Sequence, residues 1–577
     1  MWIAVIVLFI VLAAACFALA RIGFAGVKDY IDAQAADGEV ETYTSDFHSH
    51  VRDRLNVAAW TFASLSVALL FLRRLFFAGR SSEATGTTSF RADLRAAMRK
   101  VWKRTSTGHK RLAFFLILAG TVLRCLQLSA PVIYDEAFTY TYYATRPFHL
   151  IISDYSYPNN HIFHTLLVKW STMLFGVGHW QIRLPALLAG VIAMPLFYLF
   201  VRAMFNRYIA MMALALVASS GALIEYSALA RGYSITWVCY LAALLLGRHF
   251  AKENSLTSAL LIAVVNAIGM WTVPTMIYAS VAIYIWLLLY LFTRYDTSLQ
   301  QRINRLILSG LVFVALTLIL YAPVMVVHGF AQLFYHPTMG DNTWESFKAT
   351  HQDSTFALWA YFTDTAAQWV SLLGVLGLLY AVYVSSKFRL LLFALILGAV
   401  PLVIVQMLVG PPRVWTYALF VLHISNAIAL FYLLKLIHDR VSEGFTERIR
   451  TTAASLVLLV GFSVQAVRVL PDRIERYADA RVAARDMKQM LGPGDRVVVE
   501  FPWEAPLEFY LSAEGMARQQ LHLDPAPGAW VYIMVSPSNG QSPEGVLLHN
   551  KIAPERLVDL KKILDRKHLE IFAARMR

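Results

Sequence analysis

Residues 111–138 read RLAFFLILAGTVLRCLQLSAPVIYDEAF, an apolar run that ends in two adjacent carboxylates, Asp135 and Glu136. The apolar part, about residues 112–131, is long enough to cross the hydrocarbon core of a bilayer as a helix. Comparable apolar runs recur along most of the chain, and we find no series of alternating strands that would indicate a membrane barrel. The sequence therefore predicts a polytopic α-helical membrane protein.

The composition agrees with this class of protein. Of the 577 residues, 58% are hydrophobic and 15% are charged, and the mean hydropathy is +0.54. Soluble domains carry about a quarter charged residues. The three cysteines, Cys16, Cys125 and Cys239, lie in apolar runs, which indicates neither a disulfide framework nor a CxxC metal site. The net charge of +14 is typical of basic cytoplasmic loops, so we expect no nucleic-acid partner.

Lysine and arginine set the predicted orientation. Between Arg73 and Arg111 there are eleven of them against two acidic residues, a net charge of 11 − 2 = +9, which predicts a cytoplasmic segment. The first apolar run lacks a basic leader and a cleavage site, so we expect an uncleaved span. The segment from Lys28 to Arg54 is acid-rich and should face outward, so the N-terminus is predicted to be cytoplasmic. In total, the sequence predicts about thirteen spans, near residues 2–22, 56–76, 112–131, 184–203, 208–226, 233–249, 256–274, 276–293, 306–326, 368–385, 389–409, 415–436 and 451–470.

The segment HIFHTLLVKWSTMLFG (His161–Gly176) is predicted to lie on the outer leaflet as an interfacial helix. It is short and amphipathic, and if it crossed the membrane, every later basic loop would face outward. The polar and aromatic loop between about 327 and 367 is predicted to cover the site, although a plain surface loop would have the same composition.

The chain divides into three predicted parts. Residues 1–110 form a two-span extension with a basic loop, residues 111–470 form the catalytic membrane domain, and residues 471–577 form a small extracytoplasmic α/β domain. In the last part, LGPGDRVVVEFPW and APGAWVYIMVS each predict a strand, whereas PERLVDLKKILDRKHLEIF predicts a helix followed by a strand.

The acid pair is the first candidate for chemistry, because carboxylates at a membrane edge are costly unless they face a cavity or a partner. On the predicted orientation both lie at the outer surface, where a carboxylate could deprotonate an acceptor hydroxyl. Tyr134 and the tyrosines that follow could help to bind a substrate. The alternative is an ordinary interfacial acid pair with aromatic anchors.

A second candidate is YSYPNNHIFHTLL (Tyr155–Leu167), in which His161 and His164 share one helical face. We predict that His161 binds a donor phosphate and that His164, Asn160 and Lys169 contribute to substrate binding. The alternatives are a polar face toward lipid headgroups or a metal site that includes Asp135. Because the spacing alone is weak evidence for metal, we expect no cofactor.

Two arginines lie in predicted outer turns. Arg231 belongs to YSALARGYS (Tyr226–Ser234) and Arg413 to GPPRVWTY (Gly410–Tyr417). A guanidinium offers a forked set of donors that suits phosphate. We therefore predict a donor-phosphate site made of Arg231, Arg413 and Tyr233, although arginines that reach to lipid phosphates would look the same. A base and two cations on one face fit sugar transfer from a polyprenyl phosphate, and no nucleotide-binding glycine motif occurs.

These motifs resemble those of GT-C glycosyltransferases of the protein O-mannosyltransferase and lipid A aminoarabinose transferase type. The resemblance covers roughly residues 111–470, and the motifs that carry it are YDEAFT (Tyr134–Thr139), NNHIFHTLL (Asn159–Leu167), RLPALLAG (Arg183–Gly190), ARGYS (Ala230–Ser234) and PPRVWTY (Pro411–Tyr417). His161 stands where the family's HPPLYY motif has its histidine.

The resemblance implies the GT-C fold and an inverting transfer of a sugar from a polyprenyl-phosphate donor to a lipid, glycan or protein acceptor. It implies that Asp135 is the general base, that Glu136 positions the base or the acceptor, and that Arg231 lies near the donor phosphate. The expected location is the inner (plasma) membrane. Two alternatives remain open, a transporter or flippase of lipid-linked sugars, and a non-catalytic binding scaffold.

Overall fold

The structure, a computed structural model, describes residues 2–34, 43–77, 86–103, 105–293, 299–333, 343–363, 368–441, 446–473, 476–516 and 525–577. Parts of the predicted covering loop, residues 334–342 and 364–367, lie outside the described residues. The α-helices are α1 (Trp2–Ala20), α2 (Phe24–Gln34), α3 (Ser45–Phe77), α4 (Gly86–Lys103), α5 (Thr107–Leu126), α6 (Tyr134–Phe138), α7 (Phe148–Ser153), α8 (Ile162–Phe175), α9 (His179–Met204), α10 (Arg207–Ser219), α11 (Gly221–Ser227), α12 (Tyr233–Glu253), α13 (Leu256–Thr272), α14 (Met276–Phe292), α15 (Leu299–Val327), α16 (Trp344–Phe362), α17 (Gln368–Val384), α18 (Ser386–Gln406), α19 (Ala418–Val441), α20 (Glu447–Arg473), α21 (Ala478–Met490), α22 (Glu504–Ala513) and α23 (Pro543–His549).

The prediction of a multi-pass membrane protein is confirmed. Within the described ranges, seven helices are long and apolar enough to cross a bilayer, and nine if each of two bent helix pairs counts as one span. The shorter apolar helices α13 and α14 coincide with predicted spans. The total of thirteen stays a prediction. The long spans are Ser45–Phe71, His179–Met204, Tyr233–Glu253, Leu299–Val327, Ser386–Gln406, Ala418–His438 and Glu447–Pro471.

The N-terminal extension is attached to the main bundle through α3. Helices α1 and α3 pack together, with the rings of Phe9 and Phe62 5.9 Å apart. Arg54 of α3 donates to the carbonyl oxygens of Val326 and Val327 at 3.3 and 2.6 Å. These carbonyls end α15, where the last turn of a helix has no partner of its own. The arginine therefore caps α15 from the neighbouring helix.

A broken helix leads to the Arg231 turn. Helices α10 and α11 meet at a bend of 60°. Arg124 of α5 is 1% exposed and donates to the carbonyl oxygens of Val217 and Ala218 and to Ser227 Oγ, at 3.0 to 3.2 Å. It thus binds carbonyls that the break releases from the helical ladder. An added Cβ at Gly190 would collide with Ser227, so this glycine lets α9 approach α11 closely.

The segment between α5 and α9, predicted to be the first outer loop, is largely helical. It contains α6, a π-helical turn (Thr139–Ala144), α7 and α8. Helix α8 coincides with the predicted interfacial helix. Its Lys169 donates to the carbonyl oxygen of Ala144 at 3.1 Å, which ties α8 to the end of the π-helical turn.

The C-terminal domain contains a four-stranded sheet in the order β1-β2-β4-β3, made of β1 (Arg496–Val498), β2 (Trp530–Val535), β3 (Leu557–Asp565) and β4 (Glu570–Met576). Strands β1 and β2 lie in the two predicted strand segments. The predicted helix at PERLVDLKKIL is wrong, because this segment is the edge strand β3, paired antiparallel with β4. Its leucines at positions 557, 560 and 564 mimic a helical period, and an edge strand that is mostly exposed carries no alternating burial pattern to reveal it.

Candidate active site

The acid pair lies at the start of α6, and its two carboxylates have opposite surroundings. The Glu136 side chain is 0% exposed, whereas that of Asp135 is 33% exposed. Only Asp135 is therefore open to a substrate. Because neighbouring side chains on a helix diverge by about 100°, α6 can direct one carboxylate inward and the other outward.

Glu136 forms a buried ion pair with Arg183 of α9. The Arg183 Nη2 and Glu136 Oε2 atoms are 2.6 Å apart, and both side chains are fully buried. The backbone N–H of Ala230 donates to Glu136 Oε1 at 2.6 Å. Burial raises the pKa of Glu136, but Arg183 and the hydrogen bonds outweigh it and hold the pKa below its ordinary value. This carboxylate is ionised and saturated with donors.

Arg183 also organises the segment that leads to the acid pair. Its Nη1 donates to the carbonyl oxygens of Leu128 and Ala130 at 2.9 and 2.7 Å, and its Nη2 to that of Pro131 at 3.2 Å. The guanidinium thereby fixes the chain between α5 and α6. Sequence reasoning missed Arg183 as a site residue, although it opens the RLPALLAG motif. The missed signal was an arginine at the start of an apolar helix, where an unpaired charge would be costly.

Arg231 faces the open carboxylate. Its Nη2 lies 3.9 Å from Asp135 Oδ2. Its Nη1 donates to Thr139 Oγ1 at 2.9 Å and to the carbonyl oxygen of Asn159 at 3.2 Å. Asn159 in turn donates through Nδ2 to the carbonyl oxygen of Asp135 at 3.2 Å. The turn after α11, the π-helical turn and the segment before α8 therefore meet at Asp135, and sequence reasoning missed both Thr139 and Asn159.

His161 stands beside Arg231 and is 2% exposed. The backbone nitrogen of Gly232 lies 2.9 Å from His161 Nδ1, and His161 Nε2 lies 3.0 Å from Arg231 Nη2. Burial, followed by the charge of Arg231, holds the pKa of His161 well below its ordinary value, so the ring is neutral. A neutral imidazole has one accepting nitrogen, so the tautomer decides whether the backbone of Gly232 or Arg231 donates to the ring. In either case His161 joins the Arg231 guanidinium to the backbone of the turn that carries it.

Tyr233 and Arg413 complete the cluster. The rings of His161 and Tyr233 are 5.1 Å apart and edge to face. Arg413 lies in a short 3₁₀ turn (Pro412–Trp415) and is exposed. The Tyr233 hydroxyl has the largest influence on Arg413, and with Asp135 it raises the pKa of the guanidinium. The structure thus brings together Asp135, Arg231, Arg413, His161 and Tyr233.

The other predicted residues have different surroundings. Asn160 is buried and donates to the carbonyl oxygens of Ile151 and Asp154 at 2.9 and 2.8 Å, so it holds loop backbone. Lys169 likewise binds backbone at Ala144. His164 is fully buried, and neither ring nitrogen has a hydrogen-bond partner among the described residues. Burial, with the charge of Arg231, lowers its pKa to about 3.

Tyr134 connects the site to the C-terminal domain. Its hydroxyl donates to Glu504 Oε1 at 2.6 Å. Two residues earlier, the N–H of Val132 donates to the Tyr510 hydroxyl at 3.0 Å, and the carbonyl of Val132 accepts from the N–H of Tyr477 at 3.0 Å. The C-terminal domain therefore binds both backbone groups of a residue three positions before Asp135. Nothing in the sequence pattern indicated this contact.

The described part of the chain contains no group of three or more His, Cys, Asp or Glu side chains that could hold a metal ion. His161 already binds Gly232 through Nδ1. The expectation of no cofactor stays a prediction.

Comparisons with known proteins identify the fold. The family model described as dolichyl-phosphate-mannose-protein mannosyltransferase matches residues 159–326. The structure is similar to ArnT from Cupriavidus metallidurans in the apo state, with a TM-score of 0.53 and 13% identity, over 81% of this chain and 98% of that chain. It is equally similar to ArnT bound to undecaprenyl phosphate, with a TM-score of 0.53 and 14% identity over the same shares. No curated protein sequence matched. The predicted GT-C fold is confirmed.

Proposed function

We propose that this protein is an inverting glycosyltransferase that moves a sugar from a polyprenyl-phosphate donor to an acceptor hydroxyl or phosphate at the extracytoplasmic membrane surface. The observation that carries the proposal is the meeting of an open carboxylate, Asp135, with the guanidinium of Arg231 at 3.9 Å and with Arg413 nearby. The GT-C fold that the chain shares with ArnT, which binds undecaprenyl phosphate in one of its structures, supports the donor class.

The donor phosphate would occupy the cationic side of the cluster. Arg231 and His161 lie side by side, with Nη2 and Nε2 3.0 Å apart, and a phosphate oxygen beside the guanidinium would accept a charge-assisted hydrogen bond from it. Arg413 is exposed and would meet the phosphate first. Charge-assisted hydrogen bonds to phosphate are strong. These groups would therefore contribute most of the affinity for the polyprenyl phosphate.

In the proposed reaction, Asp135 accepts the proton of the acceptor hydroxyl. The acceptor oxygen then forms a bond to the anomeric carbon, while the bond from that carbon to the phosphate oxygen breaks. The electron pair leaves with the phosphate, where Arg231 and Arg413 stabilise the growing negative charge. Attack from the face opposite to the leaving group inverts the anomeric configuration and requires no covalent sugar–protein intermediate.

Glu136 has a different role in this proposal. It is enclosed and bound by Arg183 and Ala230, so it positions α6 and the Arg231 turn and does not touch a substrate. Asn160 and Lys169, which bind loop backbone, also act as positioning residues. His164 lies behind the cluster as a neutral ring.

The donor site can be tested with undecaprenyl phosphate. We expect the purified full-length protein in detergent to bind this lipid, and Arg413→Gln and Arg231→Gln each to weaken binding roughly tenfold to a hundredfold, as for the loss of a charged hydrogen bond. Arg485→Gln, an exposed arginine of the C-terminal domain that pairs with Glu514, is the matched control. Equal affinity for undecaprenyl phosphate in the wild type and in Arg413→Gln, a variant at an exposed position, would contradict the proposed phosphate site.

A further inference from the structure

Helix α4 of the N-terminal extension carries a stripe of positive charge. Arg91, Arg95, Arg99 and Lys103 follow one another at intervals of four residues, and all four are exposed. Residues four apart lie on the same side of a helix. The segment between Arg73 and Arg111, which contains α4, has a net charge of +9, so neighbouring acidic residues do not neutralise the stripe.

An apolar edge lies beside this stripe. Phe90 and Leu94 are also four residues apart, and each directly precedes an arginine of the stripe. Leu94 is 45% exposed, although a leucine on a helix that faces only water would gain nothing there. A helix with a basic face and an adjoining apolar face is typical of segments that lie in the plane of a membrane surface.

The position of α4 in the fold fits that surface. The ring of Phe90 packs edge to face on that of His249, with 5.5 Å between their centroids, and α4 also contacts α13. His249 lies near the end of α12, a helix of 21 residues that starts two positions after Arg231. Such a helix is about 30 Å long, the thickness of the hydrocarbon core. Helix α4 therefore lies at the opposite membrane surface from the candidate active site.

We propose that α4 is a binding surface for the headgroups of anionic phospholipids. Phe90 holds α4 to the bundle through His249. Leu94 would enter the boundary between headgroups and acyl chains, while the arginines extend to the lipid phosphates. A solvated charged face is the simpler alternative, but it does not account for the exposed leucine in register with the arginines. The proposal does not depend on the proposed glycosyltransferase activity.

The test compares two lipids that differ in headgroup charge. Full-length protein in detergent is titrated with phosphatidylglycerol and with phosphatidylcholine, and bound lipid is counted by native mass spectrometry. We expect the wild type to prefer phosphatidylglycerol, and Arg91→Gln with Arg95→Gln and Arg99→Gln to weaken that binding roughly tenfold to a hundredfold at low ionic strength. The corresponding triple lysine variant keeps the charge, so it should retain most of the affinity.

A second triple variant controls for the loss of charge. Arg556→Gln with Lys561→Gln and Lys567→Gln removes three exposed cations from the C-terminal domain and should leave lipid binding unchanged. In the wild type, the preference for phosphatidylglycerol should fade as salt is raised toward molar concentrations. The proposal is overturned if the wild type binds both lipids equally, if its preference is independent of salt, or if the control variant loses as much affinity as the α4 variant.

Discussion

Two arginine–carboxylate pairs involve adjacent carboxylates, Asp135 and Glu136, and the pairs differ in burial and in distance. Glu136 and Arg183 are fully buried, with an O–N distance of 2.6 Å. Asp135 and Arg231 are 3.9 Å apart, and a third of the Asp135 side chain is exposed. The closed pair has no capacity for a ligand, whereas the open pair has room for one between its charges. The contrast indicates that the closed pair supports the scaffold, whereas only the open pair is accessible to a substrate.

The closed pair can hold the scaffold because it joins three segments. Arg183 binds the chain between α5 and α6, and Glu136 binds the backbone of Ala230, next to Arg231. Burying an ion pair need not stabilise a protein compared with apolar residues, but removing one partner leaves the other charge buried. The position of Arg231 relative to Asp135 therefore depends on a fully buried pair.

The largest effect is expected when the closed pair is broken. Arg183→Met leaves the Glu136 carboxylate buried without its partner, which should cost about 3–5 kcal/mol of stability. Thermal unfolding in detergent, followed by intrinsic fluorescence, measures the loss. Arg146→Met is the control, because Arg146 and Asp154 form a partly exposed pair at 2.9 Å. If Arg183→Met and Arg146→Met lower the unfolding temperature by the same amount, the closed pair does not have the proposed role in holding the scaffold.

Breaking the open pair should alter activity and leave stability nearly unchanged. Asp135→Asn keeps the shape of the side chain but removes the proton acceptor, and a general base is worth about 10²–10⁴ in rate. Transfer of radiolabelled sugar from a panel of undecaprenyl-phosphate sugars measures the rate, and thermal unfolding of the same samples measures stability. Unchanged turnover would exclude Asp135 as the base, and a large loss of stability would erase the distinction between the two pairs.

A smaller effect is expected at His164, whose pKa is influenced by the charges of both Arg231 and Glu136. Its pKa is about 3 in the folded protein, against about 6.5 for an exposed histidine. As the pH falls from 6.5 toward 3, the unfolded chain takes up a proton that the folded chain does not, so folding stability decreases. The slope from this one group is about 1.4 kcal/mol per pH unit.

His164→Met should remove that slope. The unfolding free energy of the variant should fall less steeply between pH 6 and pH 4 than that of the wild type. Ile162→Met, at a buried neighbouring position with no titrating group, should keep the wild-type slope. Parallel curves for the wild type and His164→Met would show that His164 is not a buried neutral ring.

Much of the architecture follows from the sequence because bilayer thickness imposes a length on apolar runs. The helices of the bundle lie close to the predicted spans. Asp135, Arg231 and Arg413 lie near one another, whereas their roles and the side of the membrane that they face stay predictions. The edge strand β3 was mistaken for a helix because its leucine spacing suits both structures. Strand pairing depends on β4, whose position the local pattern of β3 does not reveal.

The roles of individual site residues were harder to predict. Asp135 and Glu136 are adjacent and chemically alike, and only their surroundings separate an open carboxylate from a buried one. Arg183 was visible in a motif, but its bonds to four carbonyl groups and to Glu136 depend on how α9 packs. The contacts of Tyr510 and Tyr477 with Val132 join distant parts of the chain, so no local spacing rule could have indicated them.

The contact between Val132 and Tyr510 spans 378 positions of the chain. A ribosome makes the acid-pair segment long before it makes the tyrosine that binds it, and domains generally fold in the order of their synthesis. The segment that carries Asp135 therefore enters the membrane without one of its supports and acquires it only after nearly the whole polypeptide has been made. A product of premature termination would contain every proposed reacting group and still lack that support.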